Sequence, residues 1–428
     1  MLQVGWAMQD ITPCDQVMQS GYAARTHKSD GVHDPLFAKV CYISDGLLET
    51  ALVSCDLICL SHEQQREIRR RAMERCGFDN MVIGTTHTHS GPGTCSQLEW
   101  EPGILDPVWI EDMLGKVVES IAQAKSSAQP GEFFAGFAVV PEVAKNRREG
   151  ETAADHSLNV LWAKDRAGCV TGLIVNYACH ATVLDSSNYL ISADYPQYIY
   201  EGIQRDFPGA ASMFFNGACG DVNIGYSADE SALGFDMGEI RSYQNAERIA
   251  ELILQGVRRA MASNVSLNPK LAFRSIPLLL PLRANLPGED SVIHEMNALE
   301  QGGLQDFGSK TRYTYLTCLL ANIKAYSTCF RDHIDGESVI LCLGETLIVT
   351  VPGELFCEVG MAIKDIFSRV GYIPMLFGYA NGYFGYMPTK RAFAVGGYEC
   401  ETSVHGPDTE QYILDKMTEA AICLKAKQ

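Results

Sequence analysis

Between Phe37 and Gly84 the chain alternates strand-like and helix-like stretches, and that order calls for an α/β fold. Residues Phe37–Ser44 and 49–53 are apolar and strand-like, joined by a turn at Asp45-Gly46. Ser61 with Gln64 is a capping-box signal and Gly77 a stop, predicting a helix of about four turns between them. Met81-Val82-Ile83-Gly84 then reads as a short buried strand. Further on, the pattern predicts helices over 109–128 and Tyr243–Ala262, and strands over 134–140, 157–163, Val170–Tyr177, 338–343 and 346–351. A helix through about residue 367 follows. Residues 225–238 mix glycine, serine and acids and read as a long loop; 283–308 are polar and read as a variable insertion. No repeat, coiled-coil register or linker divides the 428 residues, so one domain is expected.

Charge narrows the function classes. Lys and Arg total 34 against 52 Asp and Glu, a net charge of −18 that repels nucleic acid and anionic membrane surfaces. The longest apolar runs, such as 276–282, contain prolines and are too short to span a bilayer, so no transmembrane segment is expected. Met1-Leu2-Gln3-Val4-Gly5-Trp6 carries no basic stretch leading into an apolar core, and no export signal is read there. Fifteen cysteines without paired spacing suit reduced thiols and a cytoplasmic location. No Cys-x-x-Cys pair offers a thiolate metal site.

The sharpest local feature is Thr86-His87-Thr88-His89-Ser90-Gly91-Pro92-Gly93, which follows an apolar strand and ends in a forced turn. On an extended backbone, histidines two apart point to the same face and could reach one metal or one substrate. His180 ends a second apolar strand beside the small Ala181. Glu354 lies between a strand and a helix start, and Asn216 to Asp221 and Asn381 to Tyr386 are glycine-rich turns. Asp56 and Asp194 are strand-end acids that could orient histidines. Each also has an ordinary explanation: solvated imidazoles, a hydrogen-bonded core histidine, an acid favoured by a helix dipole, a packed loop.

In combination these residues resemble the neutral/alkaline ceramidase superfamily. The resemblance runs through Asp10-Ile11-Thr12-Pro13, Gly21-Tyr22-Ala23, Gly31-Val32-His33, Val53-Ser54-Cys55-Asp56 and the double-histidine motif. It continues through Asn146-Arg147, Asn176 to His180, Gly220-Asp221-Val222, Val351-Pro352-Gly353-Glu354, and Asn381 through Tyr386 to Tyr398-Glu399 and Gly406-Pro407. Residues 225–337 are largely diverged, as a lid or insertion would be. The resemblance implies a single catalytic domain over 1–428, with central mixed β-sheets flanked by helices like that family's N-terminal domain. No C-terminal β-sandwich domain is expected.

It further implies a zinc ion held by His87, His180, Glu354 and Tyr386, with His89, Arg147 and Tyr398 lining the reaction centre. Zinc lowers the pKa of bound water from 15.7 to about 7, which would let it attack an amide carbonyl at neutral pH. Gly217 and Ala218 stand where ceramide-cleaving members of the family carry serine and asparagine. The expected substrate is therefore an N-acyl compound, ceramide-like or, in preference, smaller and water-soluble. Alternatives are an esterase or lactonase using the same zinc, a non-catalytic ligand-binding homologue, and a dinuclear site recruiting His89 and Asp56.

Overall fold

The computed structural model describes residues 1–99, 103–234, 237–326 and 333–426. Its larger sheet runs Ala211–Asn216, Val170–Tyr177, Ser157–Asp165, Gln129–Val139, Leu2–Asp10, Phe37–Ser44, Glu49–Cys55, Met81–Thr85, with Asn264–Ser266 added on Gln129–Val139. The smaller sheet runs Leu271–Pro281, His333–Leu343, Thr346–Thr350, Ile373–Phe377. The two pack face to face. Leu161, Ile174 and Phe215 of the first meet Leu341, Ile348 and Phe377 of the second, and the rings of Phe215 and Phe377 stack at 4.2 Å. Burying each such side chain contributes about 1.5–3 kcal/mol.

Helices cover the outer faces. His62–Cys76 and Pro107–Ser126 pack Ile68, Met113 and Val117 on Val40, Val53 and Ile83. Tyr195–Asp206 and Tyr243–Ala262 pack Ile199, Ile249 and Ile253 on Leu158 and Val175. Cys357–Ser368 and Thr409–Lys425 close the smaller sheet. The result is the expected α/β arrangement of central mixed sheets flanked by helices. It explains why Ala51, Leu52 and Val53 run as consecutive apolar residues in Glu49–Cys55: Leu52 faces the neighbouring sheet and Val53 the helices, so both faces are buried.

The predicted helix caps form. Ser61 and Gln64 make the reciprocal capping box, and Gly77 ends the helix at φ 81°. Two expectations need correction. Within 225–238, of which 235 and 236 lie outside the described residues, the chain is not simply a loop: Ala228–Ala232 is helical, capped reciprocally by Ser227 and Glu230. Within 283–308, Glu289–Gly302 is a helix whose Val292 packs with Leu316, Leu319 and Ile323 of the next helix, Phe307–Tyr326. No helix among the described residues is long and apolar enough to cross a membrane.

Candidate metal centre and its surroundings

Three parallel strand pairs place the site. Glu49–Cys55 runs beside Met81–Thr85, Val170–Tyr177 beside Ala211–Asn216, and Thr346–Thr350 beside Ile373–Phe377. Their carboxyl ends lead into the turns bearing His87, His180, Glu354 and Tyr386, the side of an α/β sheet where ligands ordinarily bind.

The strand before the double-histidine motif stops at Thr85, and His87 takes a left-handed φ of 62°. The expectation of an extended backbone there is thus wrong: side chains two apart do not share a face through strand alternation. The imidazoles meet because the backbone turns, with His87 N–H bonded to Leu57 O and His89 N–H to Ala181 O. Their Nε2 atoms are 3.2 Å apart. A strained conformation of this kind persists only where packing over-determines it. Here the Tyr379 ring stacks on His87 at 4.0 Å and Arg25 donates to the His89 carbonyl.

Hydrogen bonds fix the ring orientations. His87 Nδ1 lies 2.7 Å from Ile58 O and His180 Nδ1 lies 3.1 Å from Val222 O. A carbonyl only accepts, so each Nδ1 carries the hydrogen and each Nε2 presents a lone pair. Burial pushes the His87 pKa down to about 3, keeping the ring neutral. Both lone pairs face Glu354: its Oε2 is 3.1 Å from His180 Nε2 and 3.6 Å from His87 Nε2. Tyr383 donates to the other oxygen, Oε1, at 2.6 Å. Burial acts to raise the Glu354 pKa; positive charge or an N–H on the two imidazoles, and the Tyr383 hydroxyl, act to lower it.

With a neutral His180 ring, His180 Nε2 and Glu354 Oε2 are two acceptors at contact distance. Such an arrangement fits a cation. Donor atoms 2.0–2.1 Å from a tetrahedral zinc are about 3.3 Å apart, close to the 3.1, 3.2 and 3.6 Å found here. The ligand atoms of His87, His89 and His180 all lie within 4.8 Å of one another and could hold a metal ion, so geometry admits His89 to the set as well.

Tyr386 and Arg147 form the adjoining wall. Arg147 donates from Nη2 to Tyr386 Oη at 3.0 Å and from Nε to Glu399 Oε1 at 2.7 Å. Arg148 takes the second Glu399 oxygen. Arg147 is carried by Lys145–Asn146, which pairs with Val222–Asn223 next to His180. The Tyr398 ring lies 5.6 Å from that of Tyr386, and its hydroxyl is 3.8 Å from Cys318 Sγ. His87, His89, Arg147, Glu354, Tyr386 and Tyr398 line one pocket, and His180 stands against Glu354 beside it. All seven side chains singled out in the sequence are thereby brought together.

Asp56 and Asp194 are not. Asp56 is bound by Lys39, Tyr200 and the Phe37 N–H, and Asp194 accepts the N–H groups of Val183, Leu184 and Tyr195. Backbone carbonyls orient the imidazoles instead, and the Asp56 carboxylate is committed away from His89, against a dinuclear site built on it. Sequence reasoning passed over Tyr379 and gave no role to Tyr383 and Glu399, although both stand in its motifs. The available signal was the Gly- and Tyr-rich run, whose Tyr379 and Asn381 adopt positive φ. The diverged segment also reaches the site: Thr314, Cys318 and Asn322, four apart on one helix face, line the pocket with Ala228 and Ser231.

The N-terminal profile of the neutral/alkaline non-lysosomal ceramidases matches residues 2–222, more than half of the chain, and the protein belongs to that family. It is 22% identical to the neutral ceramidase of Pseudomonas aeruginosa over 486 aligned positions, covering 99% of this chain and 72% of that one. It is also 22% identical to neutral ceramidase A of Dictyostelium discoideum, covering 95% and 70%. The solved P. aeruginosa neutral ceramidase superposes with a TM-score of 0.78 at 19% identity, over all of this chain and 75% of that one, and so shares its fold. A structure described as a ceramidase complexed with C2 gives the same TM-score.

Proposed function

We propose that this protein is a zinc-dependent hydrolase that cleaves the amide bond of an N-acyl substrate. The observation that carries the reading is the convergence of the His87 and His180 lone pairs on the ionised Glu354, with His180 Nε2 and Glu354 Oε2 at 3.1 Å. Family membership and the relatives' name, neutral ceramidase, support the amide bond as the target. His87, His180, Glu354 and Tyr386 would hold the metal; imidazole and carboxylate suit zinc, and a phenol is an acceptable oxygen donor. A zinc ion bound there supplies Lewis acidity and a water acidified to a pKa of about 7.

The remaining chemistry belongs to side chains. Arg147, braced by Glu399, keeps a fixed positive charge beside Tyr386 and favours negative charge developing on the carbonyl oxygen. Tyr398 offers a hydroxyl hydrogen to the same oxygen. His89 Nε2 faces the pocket and is the group suited to pass a proton to the departing amine. Each donor of this kind contributes ~3–4 kcal/mol of barrier lowering. The preferred substrate is smaller and more soluble than ceramide. The Phe307–Tyr326 helix lines the pocket, while Ala218 is packed in the core and does not line it.

The test combines metal quantification on protein purified without chelator with hydrolysis of an N-acyl library varied in chain length and head group. One zinc per chain and chelator-sensitive amide cleavage are expected. Exclusive cleavage of ester analogues, amide cleavage unaffected by chelator, or protein that takes up no zinc when it is supplied, would overturn the reading.

A further inference from the structure

Two guanidinium groups are buried beside the pocket with no carboxylate in ion-pair contact. Arg25 is 3% exposed and Arg241 7%. Arg25 donates to the carbonyls of Ser20, His89 and Asp185. Arg241 donates to Ser231 Oγ, Tyr22 Oη and the carbonyls of Thr182 and Leu184. Among the described residues, no acid lies within the 4.0 Å of an ion pair to either, and each leaves its Nε–H without an acceptor. The other deeply buried cations are paired: Lys39 with Asp56, Arg147 and Arg148 with Glu399. Two acids, Asp185 and Asp194, stand near the guanidiniums and attract them across a gap, their oxygens hydrogen-bonded elsewhere. Asp185 accepts from Ser187, and Asp194 accepts from three backbone N–H groups.

The positive charge lies directly behind one wall of the reaction pocket. Both guanidiniums lie over the Tyr22 ring, at 4.9 and 5.3 Å, and Arg241 lies 4.1 Å from the Tyr226 ring. Tyr22, Thr182, Tyr226 and Ser231 line the same pocket as His89 and Glu354. Ser231 Oγ accepts from Arg241 at 2.9 Å, which leaves its own hydrogen, polarised by the guanidinium, free to donate to a ligand. A buried charge without an acid in contact is costly, and a ligand anion on this wall of the cleft would offset part of that cost. The chain as a whole carries −18, so this wall is not part of a generally basic surface.

We propose that the substrate carries a carboxylate, as an N-acyl amino acid does, seated on the Tyr22–Ser231 wall in front of Arg25 and Arg241. A single hydroxyl donor backed by guanidinium charge suits a monoanion better than a phosphate, which needs several donors. The proposal rests on the amide-hydrolase reading and narrows its substrate to anionic amides, a class that excludes neutral lipid amides.

The test uses zinc-loaded full-length enzyme and matched pairs of N-acyl amino acids and their neutral carboxamides. At least a tenfold higher kcat/KM for the acids is expected. Arg241→Met should lower the acid-to-neutral ratio at least tenfold, and Ser231→Ala, a milder change, about threefold. Equal or faster cleavage of the neutral partners overturns the proposal even if a variant fails to fold. Should no amide be cleaved, the hydrolase reading fails and binding decides this one. A rise in melting temperature with N-acetyl amino acids but not their carboxamides supports it, and equal or absent shifts overturn it.

Discussion

Glu354 and Tyr386 are register partners in a two-residue parallel ladder, Glu354–Leu355 against Tyr386–Met387. The backbone therefore sets the spacing of acid and phenol, and the Glu354 N–H bond to Gly385 O reinforces it. Around this pair the site makes distinct, measurable commitments.

Glu354→Gln keeps the ladder and the side-chain shape but removes the charge on which His87 and His180 converge. Zinc content should fall below a tenth of the wild-type value, read by elemental analysis after dialysis. His87→Ala should lose both zinc and activity. Full occupancy in either variant would mean that the metal sits elsewhere.

Tyr398→Phe removes one hydroxyl from the pocket while its ring still packs on Tyr386. Zinc should be retained, and kcat should drop on the order of 10²-fold. Unchanged turnover would assign that hydroxyl a packing role.

Glu399→Gln strips the shared counter-charge from Arg147 and Arg148, whose side chains are 7% and 10% exposed. Breaking a buried ion pair from one side costs about 3–5 kcal/mol, which urea unfolding would register. Turnover should fall as well, because Arg147 loses the brace that aims it at Tyr386. A variant as stable as wild type would show that solvent reaches these guanidiniums.

Asp194 provides a pH signature away from the metal site. Burial raises its pKa to about 6, against the opposing pull of the backbone N–H donors. Between the unfolded value of about 3.9 and that value, the folded state holds a proton that the unfolded state releases. Its contribution is thus complete below about pH 4 and is lost as pH rises through 6. The stability deficit of Asp194→Asn relative to wild type should shrink on the order of 1 kcal/mol from pH 5 to pH 7. A deficit independent of pH would place the Asp194 pKa outside this window.

Local chemistry made much of the fold readable. The Ser61–Gln64 box and Gly77 bracket a helix through contacts within a few residues, and the Tyr243–Ala262 helix carries its own apolar stripe. The strand Leu2–Asp10 was not recognised, although Leu2 and Val4 alternate with exposed neighbours and it sits in mid-sheet. Helix Phe307–Tyr326 was missed for a different reason. Its buried positions are shared between Val292 of the neighbouring helix and the pocket, so no single stripe marks it.

The candidate site divides along the same line. The family resemblance named His87, His89, Arg147, His180, Glu354, Tyr386 and Tyr398, because imidazole, carboxylate, phenol and guanidinium are side-chain properties carried at each motif position. Three things depended on the tertiary structure: the turn at His87 that aims two imidazoles at one point, the carbonyls that set their tautomers, and two arginines left without acids in ion-pair contact. Those outcomes depend on which strand ends meet in space, and contacts between segments distant in sequence leave no trace in local periodicity.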